Sequence, residues 1–182
     1  MPSAIGHAIF ALSLTPFRPK KAPLLPFMLI AVACAILPDL DVAGFEFGIR
    51  YSSPWGHRGF SHSILFAILT GVFVSYLFFK EIRKKPYPLF NYSLYFFMCT
   101  LSHGIFDAMT DGGLGVGFFI PFLDDRYFFP YRPIAVSPLN LEVFFTNYGW
   151  SILLSEIKFI GWISMLVALS GYYWRTYQIN IE

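Results

Sequence analysis

Three side chains of metal-binding type stand four residues apart in the segment SHGIFDAMTDGG, residues 102–113. They are His103, Asp107 and Asp111. On an α-helix, positions four apart are offset by only about 40° around the axis, so these side chains form a stripe on one side. Imidazole nitrogen and carboxylate oxygen together suit Zn, Mn or Fe. The spacing therefore predicts that His103 and Asp107 bind one metal ion.

The stripe ends an apolar run, YSLYFFMCTL, which is typical of a membrane helix. The alternative interpretation is a helix end whose polar tips reach the membrane interface. An Asp inside a membrane helix costs roughly 2.5–3.5 kcal/mol near the bilayer centre and persists mainly where it is functional. This cost favours the metal site.

The segment WGHRGFSHS, residues 55–63, adds two candidate ligands and a cation. His57 and His62 would lie about 140° apart on a continuous helix, so they converge only if His57 lies in a preceding turn, which the two glycines permit. Arg58 between them is suited to bind a phosphate or carboxylate group. The alternative for Arg58 is an anchor among lipid headgroups.

Two more segments contribute candidate ligands. ILPDLDVAGF places Asp39 and Asp41 directly after an apolar run, and such a D-x-D pair either binds a hard or borderline cation or simply begins a loop. His7 is a further ligand or a buried, hydrogen-bonded histidine. Together these residues suffice for one or two divalent ions. We expect zinc, with manganese or iron as alternatives, and the lack of a nearby Cys argues against a thiolate-bound structural zinc.

The composition indicates a membrane protein. Of 182 residues, 56% are hydrophobic and only 13% are charged, against roughly a quarter charged in soluble domains. We therefore predict one all-α domain over residues 1–182, a polytopic membrane helix bundle of about five apolar helices. The apolar segments cover residues 3–17, 23–39, 59–79, 90–111 and 157–174, and the outer loops cover residues 40–58 and 112–149. The net charge of +2 is too small to indicate a nucleic-acid partner.

Two basic clusters, residues 18–21 and 80–85, are expected in the cytoplasm. Five crossings then put the N-terminus outside and the C-terminus in the cytoplasm. All four histidines of the chain and the four candidate aspartates fall at the outer ends of their helices in this topology. A random scatter would not gather the histidines at one membrane face, so the grouping itself indicates a site facing the periplasm or exterior.

The second outer loop contains IPFLDDRYFFPYRPIAVSP, residues 120–138, which is rich in Pro and aromatic residues. Its length and composition predict an ordered lid or interfacial platform over the site. Arg126 and Arg132 in this loop are candidates for binding an anionic group of a substrate. Asp124 and Asp125 would pair with these arginines at the surface.

Five motifs in order, MPSAIGHAIFAL, PDLD, HRGFSHS, SHGIFDAMTDGG and PFLDDRYFFPYRPI, resemble the YdjM-like family of bacterial inner-membrane proteins. That family is described as LexA-regulated, membrane-bound, metal-dependent hydrolases, and the resemblance covers the chain up to about residue 140. It implies a metal and catalytic set of His7, Asp39, His57, His62, His103 and Asp107. The order of these residues is also similar to the first part of the zinc-dependent phospholipase C and nuclease pattern. No histidine follows His103, which favours one or two metals over three.

The leading hypothesis is a metal-dependent hydrolase whose partners are membrane lipids and whose substrate is a phosphoester or a lipid-type molecule. Asp41 or Asp111, whichever is not a ligand, would act as general base, and Arg58, Arg126 or Arg132 would bind the anionic group. One alternative is an ion or proton transporter or channel, which predicts ionisable residues through the bilayer depth. Another is a non-catalytic membrane protein with a structural metal, which would leave no open coordination position.

Overall fold

The computed structural model describes residues 1–138 and 141–180, and these form a bundle of helices without β-strands. The α-helices are α1 (Ala4–Ser13), α2 (Leu24–Ile36), α3 (Ile64–Phe78), α4 (Pro86–Ala108), α5 (Leu141–Phe144), α6 (Asn147–Glu156) and α7 (Trp162–Asn180). A 3₁₀ segment, Leu37–Phe47, continues α2, and a π-helical turn, Ile157–Gly161, joins α6 to α7. The all-α prediction is confirmed.

Two helices of the described chain are long and apolar enough to cross a membrane, Leu24–Phe47 and Asn147–Gln178. Helices α1 and α3 are apolar but shorter. Five crossings are therefore not confirmed and stay a prediction. The helical run formed by α6, the π-helical turn and α7 is longer than the predicted segment 157–174. It begins ten residues earlier, because Thr146 caps the start of α6 by accepting a hydrogen bond from Tyr148 N.

Local sequence explains where the helices near the site begin and end. Ser3 and Ser63 precede α1 and α3, and each side-chain oxygen accepts a backbone N–H of the first turn. Pro38 lacks the N–H that an α-helix needs, so α2 tightens into the 3₁₀ segment at this point. Gly48, with a φ of 76°, ends that segment. The two aspartates after α2 consequently lie on a 3₁₀ backbone, which has fewer residues per turn than an α-helix.

An aromatic core fills one end of the bundle. It consists of the rings of Phe27, Phe79, Tyr92, Tyr95 and Phe96, with centroids 4.6–5.6 Å from that of Phe27. Helices α3 and α4 pack closely beside it, because a Cβ at Gly71 would lie 2.4 Å from Ser93 O. Buried apolar residues of α1 and α2 complete this end.

The loop between α4 and α5, which is predicted to lie on the outer face and is called the outer loop below, folds back over the other end of α4. Phe129 N donates to Ala108 O at 2.9 Å, and Thr110 pairs with Ile134 in an isolated bridge. Gly117 N donates to Arg58 O at 2.8 Å, which ties this loop to the loop before α3. The predicted ordered loop is therefore packed against the ends of the helices that carry the candidate ligands.

Candidate metal centre

Four side chains from three parts of the chain bring ligand atoms together. Asp39 follows α2, His62 precedes α3, and His103 and Asp107 lie in the last two turns of α4. One ligand atom from each lies within 4.8 Å of all the others. His103 Nε2 is 3.2 Å from Asp39 Oδ1 and 3.1 Å from His62 Nε2, and His62 Nε2 is 3.4 Å from Asp107 Oδ2. We call these four residues the ligand cluster.

Hydrogen bonds fix which nitrogen of each imidazole faces the ligand cluster. His103 Nδ1 lies 2.7 Å from Ala35 O, and a carbonyl can only accept, so Nδ1 carries the proton and Nε2 a lone pair. His62 Nδ1 lies 3.2 Å from Asp41 Oδ2, which assigns the same tautomer. In their neutral forms the two Nε2 lone pairs thus face each other across 3.1 Å. A cation between them, either a proton or a metal ion, removes that repulsion.

The oxygens of the ligand cluster also lack donors. Asp39 Oδ1 and both carboxylate oxygens of Asp107 are buried without a hydrogen-bond partner in the described part of the chain. Arg58 Nε lies 2.9 Å from Asp107 Oδ2 as an ion pair outside hydrogen-bonding geometry. Buried carboxylates without donors are costly unless a cation compensates them. The ligand cluster therefore fits a bound metal ion.

The electrostatic potential of the ligand cluster is negative. Burial alone would lower the pKa of His62, which lies before α3, but its contacts with Asp107, Asp39 and Asp41 outweigh burial and raise that pKa to about 10. Carboxylates that bind a proton to imidazole this firmly also favour a divalent cation in its place.

Asp41 lies directly behind the ligand cluster as an acceptor. Its carboxylate accepts from His57 Nδ1 at 2.7 Å, from Arg58 N at 3.2 Å and from Ser61 Oγ, and its Oδ2 lies 3.2 Å from His62 Nδ1. Such a carboxylate orients a ligating histidine and raises its basicity. Asp41, His57 and His62 form a second group close enough to share an ion, although His57 is outside the ligand cluster.

The loop before α3 explains how two histidines five residues apart converge. Arg58 has a φ of 63°, and no other non-glycine residue in the described ranges has a positive φ. The neighbouring glycines serve close packing, since a Cβ at Gly56 would lie 2.1 Å from Arg50 O and one at Gly59 2.2 Å from Pro54 O. Strained residues of this kind concentrate at functional sites.

His7 is brought to the ligand cluster by α1. Its ring stacks on that of His103 with centroids 3.7 Å apart, and its Nε2 is 3.6 Å from Asp107 Oδ1. Neither ring nitrogen has a hydrogen-bond partner among the described residues. Glu156, which the predicted site set omits, accepts hydrogen bonds from Ser3 N and, at 2.6 Å, from Ser3 Oγ. No local pattern reveals this contact, because its partners are 153 positions apart.

Arg58 and Asp111, two other predicted site residues, are held by contacts with the loops around the ligand cluster. Arg58 is fully buried; besides Asp107 it contacts Gly112 O at 2.8 Å and Thr110 Oγ1 at 2.9 Å. Its guanidinium is thus bound by the protein and is not directed to a substrate. Asp111 is exposed and its Oδ1 accepts from Val136 N at 2.9 Å, which holds it against the outer loop.

The two arginines of the outer loop are not aimed at the ligand cluster. Arg126 donates to three backbone carbonyls, those of Tyr51, Ser53 and His57, and so joins the outer loop to the loop before α3. Arg132 is exposed, with its guanidinium carbon 4.8 Å from the ring centre of Phe128. Their predicted binding of an anion has no support in these contacts.

The described chain is thus an all-helical protein with two helices that are long and apolar enough to cross a membrane and with a His/Asp cluster that could hold a metal ion. The family described as YdjM inner membrane protein matches residues 2–181, and the chain belongs to that family. The chain is similar to the inner membrane protein YbcI of Escherichia coli (strain K12), with 33% identity over 178 residues, 96% of this chain and 99% of YbcI. No solved structure matches the chain. The resemblance predicted from the motifs is thus confirmed, while orientation and number of crossings stay predictions.

Proposed function

We propose that this inner membrane protein is a metal-dependent hydrolase that cleaves a carboxylic ester or phosphoester of a lipid or lipid-linked substrate at the outer membrane face. The observation that carries the proposal is the pair of Nε2 atoms of His62 and His103, 3.1 Å apart between two buried carboxylates. Two nitrogen and two oxygen ligands suit Zn, Mn or Fe.

Asp39, His62, His103 and Asp107 would bind the ion. The bound ion would lower the pKa of a coordinated water and polarise the scissile ester group. Asp41 acts as a positioning residue for His62, and the Ala35 carbonyl does the same for His103. Arg58 offsets one negative charge of the ligand cluster by its ion pair with Asp107.

Access to one side of the ligand cluster supports an enzyme over a closed structural metal site. The side chain of Asp39 is 11% exposed, whereas those of His62, His103 and Asp107 are fully buried. A cavity of about 300 Å³ borders Asp39. Catalytic metal sites keep an open position for water or substrate, and structural sites do not.

The first experiment measures metal content by elemental mass spectrometry on detergent-purified protein, for the wild type, His103→Ala and the control Asp111→Asn. We expect stoichiometric metal in the wild type and the control and its loss in His103→Ala. The same preparations are then assayed on short-chain carboxylic esters and on phosphodiesters, and hydrolysis should depend on the metal. Metal in the wild type that is unchanged in His103→Ala, or no metal after addition of Zn or Mn to folded protein, would overturn the proposal and favour ion or proton translocation.

A further inference from the structure

The cavity beside Asp39 lies between the start of α1, the end of α2 with its 3₁₀ continuation, and α5. Its apolar walls include Ile5, Ile36, Val42 and Phe144. We call it the Asp39 cavity. A volume of about 300 Å³ is at the lower end of the range typical for sites that bind small molecules.

Asp39 joins the Asp39 cavity to the ligand cluster, and Ser3 and Ser137 are further polar residues of its lining. Asp39 belongs to both, with Oδ1 3.2 Å from His103 Nε2. Ser3 also lines the cavity, but its hydroxyl donates to Glu156. The complementary ligand has a polar, cleavable group at Asp39 and an apolar part along the remaining walls.

The mouth of the Asp39 cavity lies on an apolar surface. Ile5 at the mouth is half exposed, and with Ile9 and Leu12 it forms a stripe of exposed aliphatic side chains along α1. Leu40, next to Asp39 in sequence, is two-thirds exposed. Such a surface in an inner membrane protein faces hydrocarbon, so a ligand can enter laterally from the bilayer.

The arginine side chains near the Asp39 cavity are already bound within the protein. Among the described residues near the ligand cluster, Arg58 is bound to Asp107 and to two loop oxygens, and Arg126 is bound to three carbonyls. Neither guanidinium is left to bind a multiply charged headgroup. Beyond the ligand cluster, the walls of the cavity therefore supply the affinity through apolar contact.

We propose that the Asp39 cavity binds the hydrocarbon chain next to the scissile group of a membrane lipid, so that the chain and not the headgroup determines substrate choice. This inference rests on the proposed hydrolase function for its scissile group. The occupant is a bilayer lipid, because Asp39 joins the cavity to the ligand cluster and the mouth opens on the lipid-facing stripe of α1.

A second apolar surface provides the internal control. A groove of about 870 Å³ between α2 and α3 is lined by Ile30, Leu69, Phe73 and Leu77 among others. It is larger than the Asp39 cavity, but none of the four ligand-cluster residues lines it. Lipid that merely coats the protein contacts this groove, whereas a substrate chain contacts the Asp39 cavity.

The test is photo-crosslinking in vesicles of phosphatidylethanolamine and phosphatidylglycerol that contain a phospholipid with a diazirine near the ester end of one acyl chain. The His103→Ala variant is used beside the wild type, so that turnover does not remove the probe. Mass spectrometry should find crosslinks in the segments around Ile5, residues 36–42 and Phe144. Val42→Trp should reduce these crosslinks by about tenfold, since an indole fills the cavity.

Leu69→Trp in the groove is the matched control and should leave the cavity crosslinks unchanged. Ile5→Trp, at the half-exposed mouth, is a second closure that avoids the interior. Crosslinks confined to the groove and outer surface, or cavity crosslinks that survive both closures, would overturn the inference.

The two proposals fail separately. Leu69→Trp, in the groove, should equal the wild type in metal content and in hydrolysis of both a short-chain soluble ester and the long-chain substrate. Val42→Trp should lose hydrolysis of the long-chain substrate selectively. If Val42→Trp retained its metal but lost hydrolysis of the short-chain and the long-chain ester equally, the cavity would not be a chain-binding site. Absence of metal and of all hydrolysis in the wild type would overturn the hydrolase, and the crosslink map would still report lipid binding.

Discussion

Helices α2 and α4 contribute to two different buried regions, an aromatic core at one end of the bundle and the polar ligand cluster at the other. At one end Phe27 is surrounded by four aromatic rings, and at the other end the same helices, with the segment after α2, hold Asp39, His103 and Asp107. Burial of aromatic rings favours folding, whereas burial of carboxylates and imidazoles opposes it. The comparison teaches that the aromatic core stabilises the bundle, whereas the ligand cluster opposes folding unless a cation compensates its charges.

The largest expected effect comes from the aromatic core. Phe27→Ala should lower the free energy of unfolding by about 3–5 kcal/mol, because it removes a fully buried ring and leaves a cavity. Chemical denaturation in detergent, followed by circular dichroism, measures the change. Phe73→Ala, at a ring that is 64% exposed, is the matched control and should change stability little.

The folded fraction of Phe27→Ala should bind as much metal as the wild type, since the aromatic core and the ligand cluster are at opposite ends of α4. Loss of metal binding from a folded Phe27→Ala protein would show that the two cores are coupled, and the comparison would then fail.

The next effect tests whether the charges of the ligand cluster compensate one another. Arg58→Met leaves Asp107 buried without its cation, and we expect a loss of about 3 kcal/mol in metal-free protein. Added Zn or Mn should restore part of this loss, because the ion then pairs with Asp107. Thermal melting with and without metal measures the change in stability. Arg132→Met, at an exposed arginine, is the control. A destabilisation that metal does not change would argue against Asp107 as a ligand.

The sequence predicts part of this site and not the rest, for physical reasons. Helical spacing is a local property, so it places His103 and Asp107 together, and the structure brings both into the ligand cluster. The inward direction of Arg58 depends on its positive φ. The contact of Ser3 with Glu156 depends on how α1 packs on the π-helical turn and on α7, which follow Glu156. Both are tertiary features, which residue types and spacing do not encode.

The helix count shows the same limit. Apolar segments predict helices, and all five predicted segments contain one. The ends of these helices follow from caps and prolines, so α1 ends at Ser13. The continuous helical run of α6, the π-helical turn and α7 begins at Asn147. The start of that helix is not predicted, because it contains polar residues such as Asn147 and Ser151, and the prediction follows uninterrupted apolar segments.

A smaller effect should come from the residue behind the ligand cluster. Asp41→Asn should weaken metal binding about 10–100-fold without abolishing it, because the amide accepts through one oxygen and presents an NH₂ group to donors. Competition with a fluorescent chelator measures the affinity. Asp111→Asn, at an exposed aspartate after α4, should leave the affinity unchanged. Complete loss of metal in Asp41→Asn would instead make Asp41 a direct ligand.

The smallest effect concerns α1. This helix supplies His7, which contacts the ligand cluster but is not one of its four residues. Ser3 caps α1 and donates to Glu156, so Ser3→Ala should cost about 1 kcal/mol of stability and loosen the stacking of His7 on His103. A severalfold loss of metal affinity should accompany it. Ser13→Ala, at the other end of the same helix, removes only a bond to Phe10 O and is the control. If both variants have the same metal affinity, α1 supports the fold alone, and the ligand cluster is complete without His7.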